Sequence, residues 1–214
     1  MNKITHLCFD LDGTLINSFY NIYFATNETL KRLGIKALIN EADFRLTIGL
    51  HFNEIFEKLN IPVNDFEEFI SLYKKIYFDF IDSSKIYPAV IETLQLLYTK
   101  NIKISLLTTK AQDQTDKIID HFELRKYFSL VMGRRDGIAH KPSAEPLQII
   151  CKELNVFPSA TIMAGDTELD IRCGKAAGTQ TCAVNYGYRT EELLLKEEPD
   201  FLINSIEEII PLVS

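Results

Sequence analysis

Ile4-Thr5-His6-Leu7-Cys8-Phe9-Asp10-Leu11-Asp12-Gly13-Thr14-Leu15 opens as an apolar run and closes on two carboxylates and a glycine. Asp-Gly alone is a common turn, and Asp side chains often bond nearby backbone. A strand in front of the pair changes its meaning, because the carboxyl ends of parallel strands face the ligand crevice of an open sheet. The decision between turn and site therefore rests on whether the rest of the chain builds such a sheet.

Short apolar runs bounded by turn residues recur at Ile102–Leu107, Leu130–Met132, Thr161–Ala164 and Thr181–Val184. With Ile4–Phe9 they read as strands buried on both faces. Helical spacing lies between most of them. Pro88 can start a helix carrying Val90, Ile91, Leu94, Leu97 and Tyr98, and Pro142 with Ser143 precedes Leu147, Ile150, Cys151 and Leu154. Glu168–Ala177 is followed by Gly178, a left-handed helix terminator. Alternating strand and helix predicts a parallel sheet with helices on both faces, an α/β fold.

One interval breaks the alternation. Between Ile16 and Tyr87 there are too many residues for a single crossover helix, and Phe66, Phe69, Ile70, Tyr73, Ile76, Tyr77 and Phe80 repeat at helical spacing. The interval holds well over half of the chain's 14 Phe and 9 Tyr. A small module buries little area per residue, so bulky rings fill its thin core, and packing outweighs an aromatic ligand box.

Three further segments join Asp10 and Asp12. Leu106-Leu107-Thr108-Thr109-Lys110 ends an apolar run in hydroxyls that could donate to a phosphoryl oxygen or cap the next helix. Lys141, in His140-Lys141-Pro142-Ser143, is either a solvated lysine or a cation turned inward ahead of a helix beginning at Pro142. Gly165-Asp166-Thr167-Glu168-Leu169-Asp170 follows an apolar run. Thr167 and Asp170 there could form a capping box without chemistry, whereas Asp166 would stand at another strand end.

In this order, each at a strand end or helix start, the four segments resemble the four motifs of the haloacid dehalogenase (HAD) superfamily, in its phosphatase branch and nearest to phosphoglycolate phosphatase-like members. The resemblance covers nearly the whole chain, and Asn17-Ser18 and Tyr87-Pro88 resemble the places where the family's helical cap begins and ends. It implies a three-layer Rossmann-like core from residues 1–16 and 88–214, with the first strand flanked by those bearing the second and fourth motifs. Residues 17–87 would be the inserted α-helical cap. It implies a Mg2+-dependent phosphatase acting on small phosphorylated metabolites, with Asp10 as nucleophile and Asp12 as acid and base. Gly13, Thr108, Thr109, Lys110 and Lys141 would serve phosphate, Thr108 and Lys141 catalytically. Metal ligands would be the Asp10 and Asp166 carboxylates and the Asp12 carbonyl, with Asp170 acting nearby or through water. Four gathered carboxylates demand a cation, and an all-oxygen donor set suits magnesium. In the cap, Arg45, Gly49 and His51 fall where relatives carry a specificity segment, and Arg45 either meets an anionic substrate or stands as an ordinary exposed helical arginine, the commoner case.

Asp12 sets dehalogenases aside, because those relatives lack an acid at that position. A beta-phosphoglucomutase-like mutase and an inorganic pyrophosphatase of the same superfamily remain as rivals, and a phosphorylatable receiver-type module is opposed by the inserted cap. The net charge of −7 and the absence of a basic run argue against a nucleic-acid partner. No stretch approaches the roughly 18 consecutive apolar residues of a membrane span, and Met1–Asp10 lacks secretory signal character, so a cytoplasmic protein is expected. Cys8, Cys151, Cys173 and Cys182 lie far apart without metal-type spacing and read as buried thiols.

Overall fold

The computed structural model describes residues 3–213. In chain order they form strands β1 (His6–Phe9) and β2 (Ile16–Asn17), then helices α1 (Phe19–Arg32), α2 (Glu41–Arg45), α3 (Phe52–Lys58) and α4 (Phe66–Ile76). Strand β3 (Lys85–Ile86) and helix α5 (Val90–Thr99) follow, then β4 (Lys103–Ala111), α6 (Gln112–His121) and β5 (Leu130–Arg134). The chain ends with α7 (Glu145–Glu153), β6 (Thr161–Gly165), α8 (Glu168–Ala177), β7 (Gln180–Val184), α9 (Glu191–Leu195) and β8 (Phe201–Ile203). Two compact units result, Met1–Leu15 with Ile86–Ser214, and Ile16–Lys85.

The first unit is a parallel six-stranded sheet in the order β5-β4-β1-β6-β7-β8, with helices on both faces. As the resemblance implies, β1 is flanked by the strands bearing the second and fourth motifs. Its register sets Phe9 level with Leu106 on one side and Ala164 on the other, so the three strands end together. One face of the sheet packs Cys8, Leu107 and Met163 against Leu147, Ile150 and Cys151 of α7 and Cys173 and Ala177 of α8. Strand alternation turns Leu7 and Phe9 to the other face, and both are fully buried. The buried His6 is accommodated by hydroxyls from both neighbouring strands, Ser105 at 2.8 Å and Thr161 at 3.1 Å. All four cysteines are buried free thiols. Among the described residues no helix is long and apolar enough to cross a membrane.

Several local expectations are corrected. Strand β4 continues past Leu107 to Ala111, so Thr108, Thr109 and Lys110 lie within a strand whose register shifts in that stretch. Strand β5 is an edge strand and only half-buried at Leu130 and Val131. Strand β8 has no counterpart in the sequence reading, being three residues long and mostly half-buried. Helix α5 begins at Val90 behind a left-handed Ala89, not at Pro88. Helix α7 begins at Glu145, with Pro146 in its first turn, and Pro142 lies outside it.

The second unit is helical. Two ring clusters fill it, Phe52, Phe56, Phe69, Tyr73 and Tyr77 in one, and Phe19, Tyr23 and Phe44 in the other. Most pairs meet edge-on or tilted, the geometry that ring quadrupoles favour.

Candidate active site

The first motif turns where β1 ends. Asp10 N–H still donates to Ala164 C=O at 2.9 Å, which pins Asp10 to the sheet edge before the chain bends away. Gly13 makes the bend with φ +89°, in the left-handed region. A methyl group there would stand 2.3 Å from an Asp166 carboxylate oxygen, so the glycine also admits that side chain.

The structure brings Asp10, Asp166 and Asp170 together. All three are buried, and one carboxylate oxygen from each lies within 4.8 Å of the others. Lys141, only 3% exposed, places its Nζ 2.6 Å from Asp10 Oδ1 and 2.5 Å from Asp170 Oδ1. The inward-facing reading of this lysine therefore holds. Asp170 Oδ2 accepts from Thr167 N–H at 3.0 Å and from its hydroxyl at 2.6 Å. The capping box of Thr167 and Asp170 is present, and the carboxylate that caps α8 also holds Lys141, while Asp166 directly follows the end of β6.

The Asp12 carboxylate lies outside this group and pairs with Lys110 at 3.2 Å. Lys110, expected to meet phosphate, is thus engaged with a carboxylate. Thr108 is buried, and its hydroxyl oxygen accepts Lys110 N–H at 3.3 Å; Thr109 beside it is half-buried. Arg45 belongs to the helical unit, where its guanidinium lies 3.8 Å from the centre of the Phe19 ring, a cation–π contact. Two partners of Asp166 were not assigned roles from sequence. Thr14 hydroxyl donates to Asp166 Oδ1 at 3.0 Å, and Tyr188 N–H donates to Oδ2 at 2.8 Å. Thr14 belongs to the first motif, but a backbone N–H leaves no signal in residue type.

Four carboxylates face two ammonium groups, a deficit of two positive charges when all are ionised. Burial, and after it the charge of Asp170, pushes Asp166 up to about 7. Burial also raises Asp10 well above the usual carboxylate range, against the opposing pull of Lys141. A charge deficit of two, three buried carboxylates in mutual reach and oxygen-only donors together fit a hard divalent cation.

Asp166 binds its proton more tightly folded than unfolded, so the stability this confers is present below about pH 4 and is lost as pH rises through about 7. Without divalent cations, Tm should fall by about 5 °C or more between pH 5 and pH 8. Adding Mg2+ should raise Tm more at pH 8 than at pH 5; equal shifts at both would contradict a cation site built on Asp166.

The pattern that defines haloacid dehalogenase-like hydrolases matches residues 7–184. The chain belongs to that family. Relatives agree over nearly full length on both sides. Phosphoglycolate phosphatase of Aquifex aeolicus is 31% identical over 208 residues, covering 97% of this chain and 95% of that one. Pyrophosphatase PpaX of Bacillus cereus (strain B4264) is 32% identical over 213 residues, covering 99% and 97%. A solved haloacid dehalogenase-like hydrolase of Streptococcus pneumoniae superposes with TM-score 0.89 at 24% identity, covering both chains completely, and shares the fold. Family and relatives together make the chain a phosphatase-type hydrolase.

Proposed function

We propose that the chain is a magnesium-dependent phosphatase that hydrolyses small phosphate monoesters through an aspartyl-phosphate on Asp10. The observation that carries this reading is Lys141, buried between the Asp10 and Asp170 carboxylates. A lysine held there offsets the repulsion between the Asp10 carboxylate and an incoming phosphate dianion. Magnesium, held by the Asp10 and Asp166 carboxylates and the Asp12 carbonyl, with Asp170 through water, would supply further positive charge at the phosphoryl oxygens.

In the first half-reaction an Asp10 oxygen forms a bond to phosphorus as the bond to the ester oxygen breaks, and Asp12 gives its proton to the departing alkoxide. In the second, water attacks phosphorus, Asp12 takes the water's proton, and the bond to Asp10 breaks, releasing phosphate and restoring the carboxylate. Thr108 donates a hydrogen bond from its hydroxyl to a phosphoryl oxygen, and Lys110 orients Asp12 through their ion pair. Residues 17–87 serve as a cap that excludes water and senses the leaving group, with Arg45 available to an anionic substrate. We place the enzyme in the cytoplasm, in keeping with four free buried thiols.

Asp12→Asn separates the acid role from binding. Within the first turnover, release of the alcohol from an alkyl phosphate should slow about 10²–10⁴-fold, and release of p-nitrophenol from p-nitrophenyl phosphate much less, because that leaving group needs no proton. Equal losses on both would contradict Asp12 as the acid. Phosphoglycolate leads among substrates, and the relatives named pyrophosphatase support inorganic pyrophosphate as the second reading. Comparing kcat/KM for the two decides between them. Isomerised monophosphate released from a sugar bisphosphate would instead indicate a mutase.

A further inference from the structure

The segment Asn185-Tyr186-Gly187-Tyr188-Arg189 leaves the end of β7 and is assigned no role by the reaction described above. It nevertheless touches Asp166 twice. Tyr188 N–H donates to Asp166 Oδ2 at 2.8 Å, and Gly187 lies so close that a methyl group there would stand 2.2 Å from Asp166 Cβ. The segment is also tied to the other partner of Asp166. Tyr186 hydroxyl donates to Thr14 C=O at 3.0 Å, while Thr14 hydroxyl donates to Asp166 Oδ1 at 3.0 Å. Asp166, Thr14, Tyr186 and Tyr188 thereby form a closed ring in which each carboxylate oxygen is held by its own partner.

The ring is anchored at two points. The Tyr186 ring packs on Tyr87, with centroids 4.9 Å apart. Arg189, 5% exposed, binds Glu168 in two-pronged fashion, Nε to Oε2 at 2.7 Å and NH2 to Oε1 at 3.2 Å. Glu168 opens α8 two residues after Asp166, so the loop is fastened to the same strand–helix junction that carries the carboxylate. A planar, bidentate pair whose guanidinium is buried and whose carboxylate is half-buried is hard to rotate, and it fixes the loop's approach angle.

We propose that Tyr186, Gly187 and Tyr188 form a positioning clasp that presets Asp166 for a divalent cation. The inference rests on the phosphatase reading for what the cation is used for, but not for whether it binds. A carboxylate preset in one orientation loses little freedom when it takes up the ion, and supporting partners of metal ligands typically account for about 10–100-fold in affinity. Tyr186 acts through Thr14 and touches neither substrate nor reacting atoms.

The test is calorimetric titration of Mg2+ alone, without substrate, into the parent, Tyr186→Phe and Gly187→Ala. Tyr186→Phe keeps the ring and its packing on Tyr87 but loses the hydroxyl, and Mg2+ binding should weaken about tenfold. Gly187→Ala forces Asp166 to move, and binding should weaken about a hundredfold. Phosphate release from p-nitrophenyl phosphate should then need correspondingly more Mg2+ and recover toward the parent rate when Mg2+ is raised. If Gly187→Ala does not fold, Tyr186→Phe carries the test alone. Variants that melt earlier without cations but bind Mg2+ with the parent's dissociation constant would overturn the clasp, leaving a structural loop, while parent turnover would keep the phosphatase reading. A parent that neither takes up Mg2+ nor releases phosphate would overturn both.

Discussion

Asp10→Asn should reduce Mg2+-stimulated phosphate release by at least about 10⁴-fold, equivalent to roughly 5.5 kcal/mol of lost transition-state stabilisation. The amide keeps the size of the carboxylate, so the sheet edge and the Ala164 C=O contact to Asp10 N–H remain. What goes is the attacking oxygen. The neighbouring carboxylates are held by other partners, Asp170 by Lys141 and Thr167, Asp166 by Thr14 and Tyr188, and Asp12 by Lys110. Residual turnover near the parent level would mean that water attacks the ester directly and Asp10 serves only as a ligand.

Lys141→Ala should be the second severe change, and it should act on two measurements in linked fashion. Its ammonium is the cation shared by Asp10 and Asp170, and all three groups are buried. Removing one partner of a buried ion pair leaves charge without compensation and costs about 3–5 kcal/mol. In cation-free buffer the urea midpoint should therefore drop, and added Mg2+ should restore part of the loss by lowering the same repulsion. Turnover should fall about 10²–10³-fold even with saturating Mg2+, because a donor at the transferring phosphoryl group is gone. A variant with parent stability and an unchanged rate would show that the lysine is neither counter-charge nor donor.

The parts of the fold and site legible in sequence were those where residue type and spacing do the structural work. A buried parallel strand must be apolar and a carboxylate at its tip stands out against it, so β1 with Asp10 and β6 with Asp166 could be read directly. The aromatic interval announced itself by composition, and its rings indeed fill the helical unit. Strand β8 escaped because three residues, two of them half-buried, make no pattern, and the extension of β4 through Thr108 and Lys110 escaped because polar residues at a strand's end look like a loop. Lys141 could be singled out from sequence, but its inward turn depends on Asp10 and Asp170, which lie far off in the chain. The Tyr188 contact to Asp166 was illegible for a deeper reason, since every residue type but proline supplies a backbone N–H.

Covalent capture of the phosphoryl group tests the central chemistry most directly. The purified enzyme would be mixed with Mg2+ and a substrate labelled with radioactive phosphorus, quenched in acid within the first turnover, and digested for peptide mapping. Label on the peptide carrying Asp10, formed and lost at rates that match steady-state turnover and absent from Asp10→Asn, is the expected result. Steady phosphate release with no labelled peptide at any quench time would contradict it.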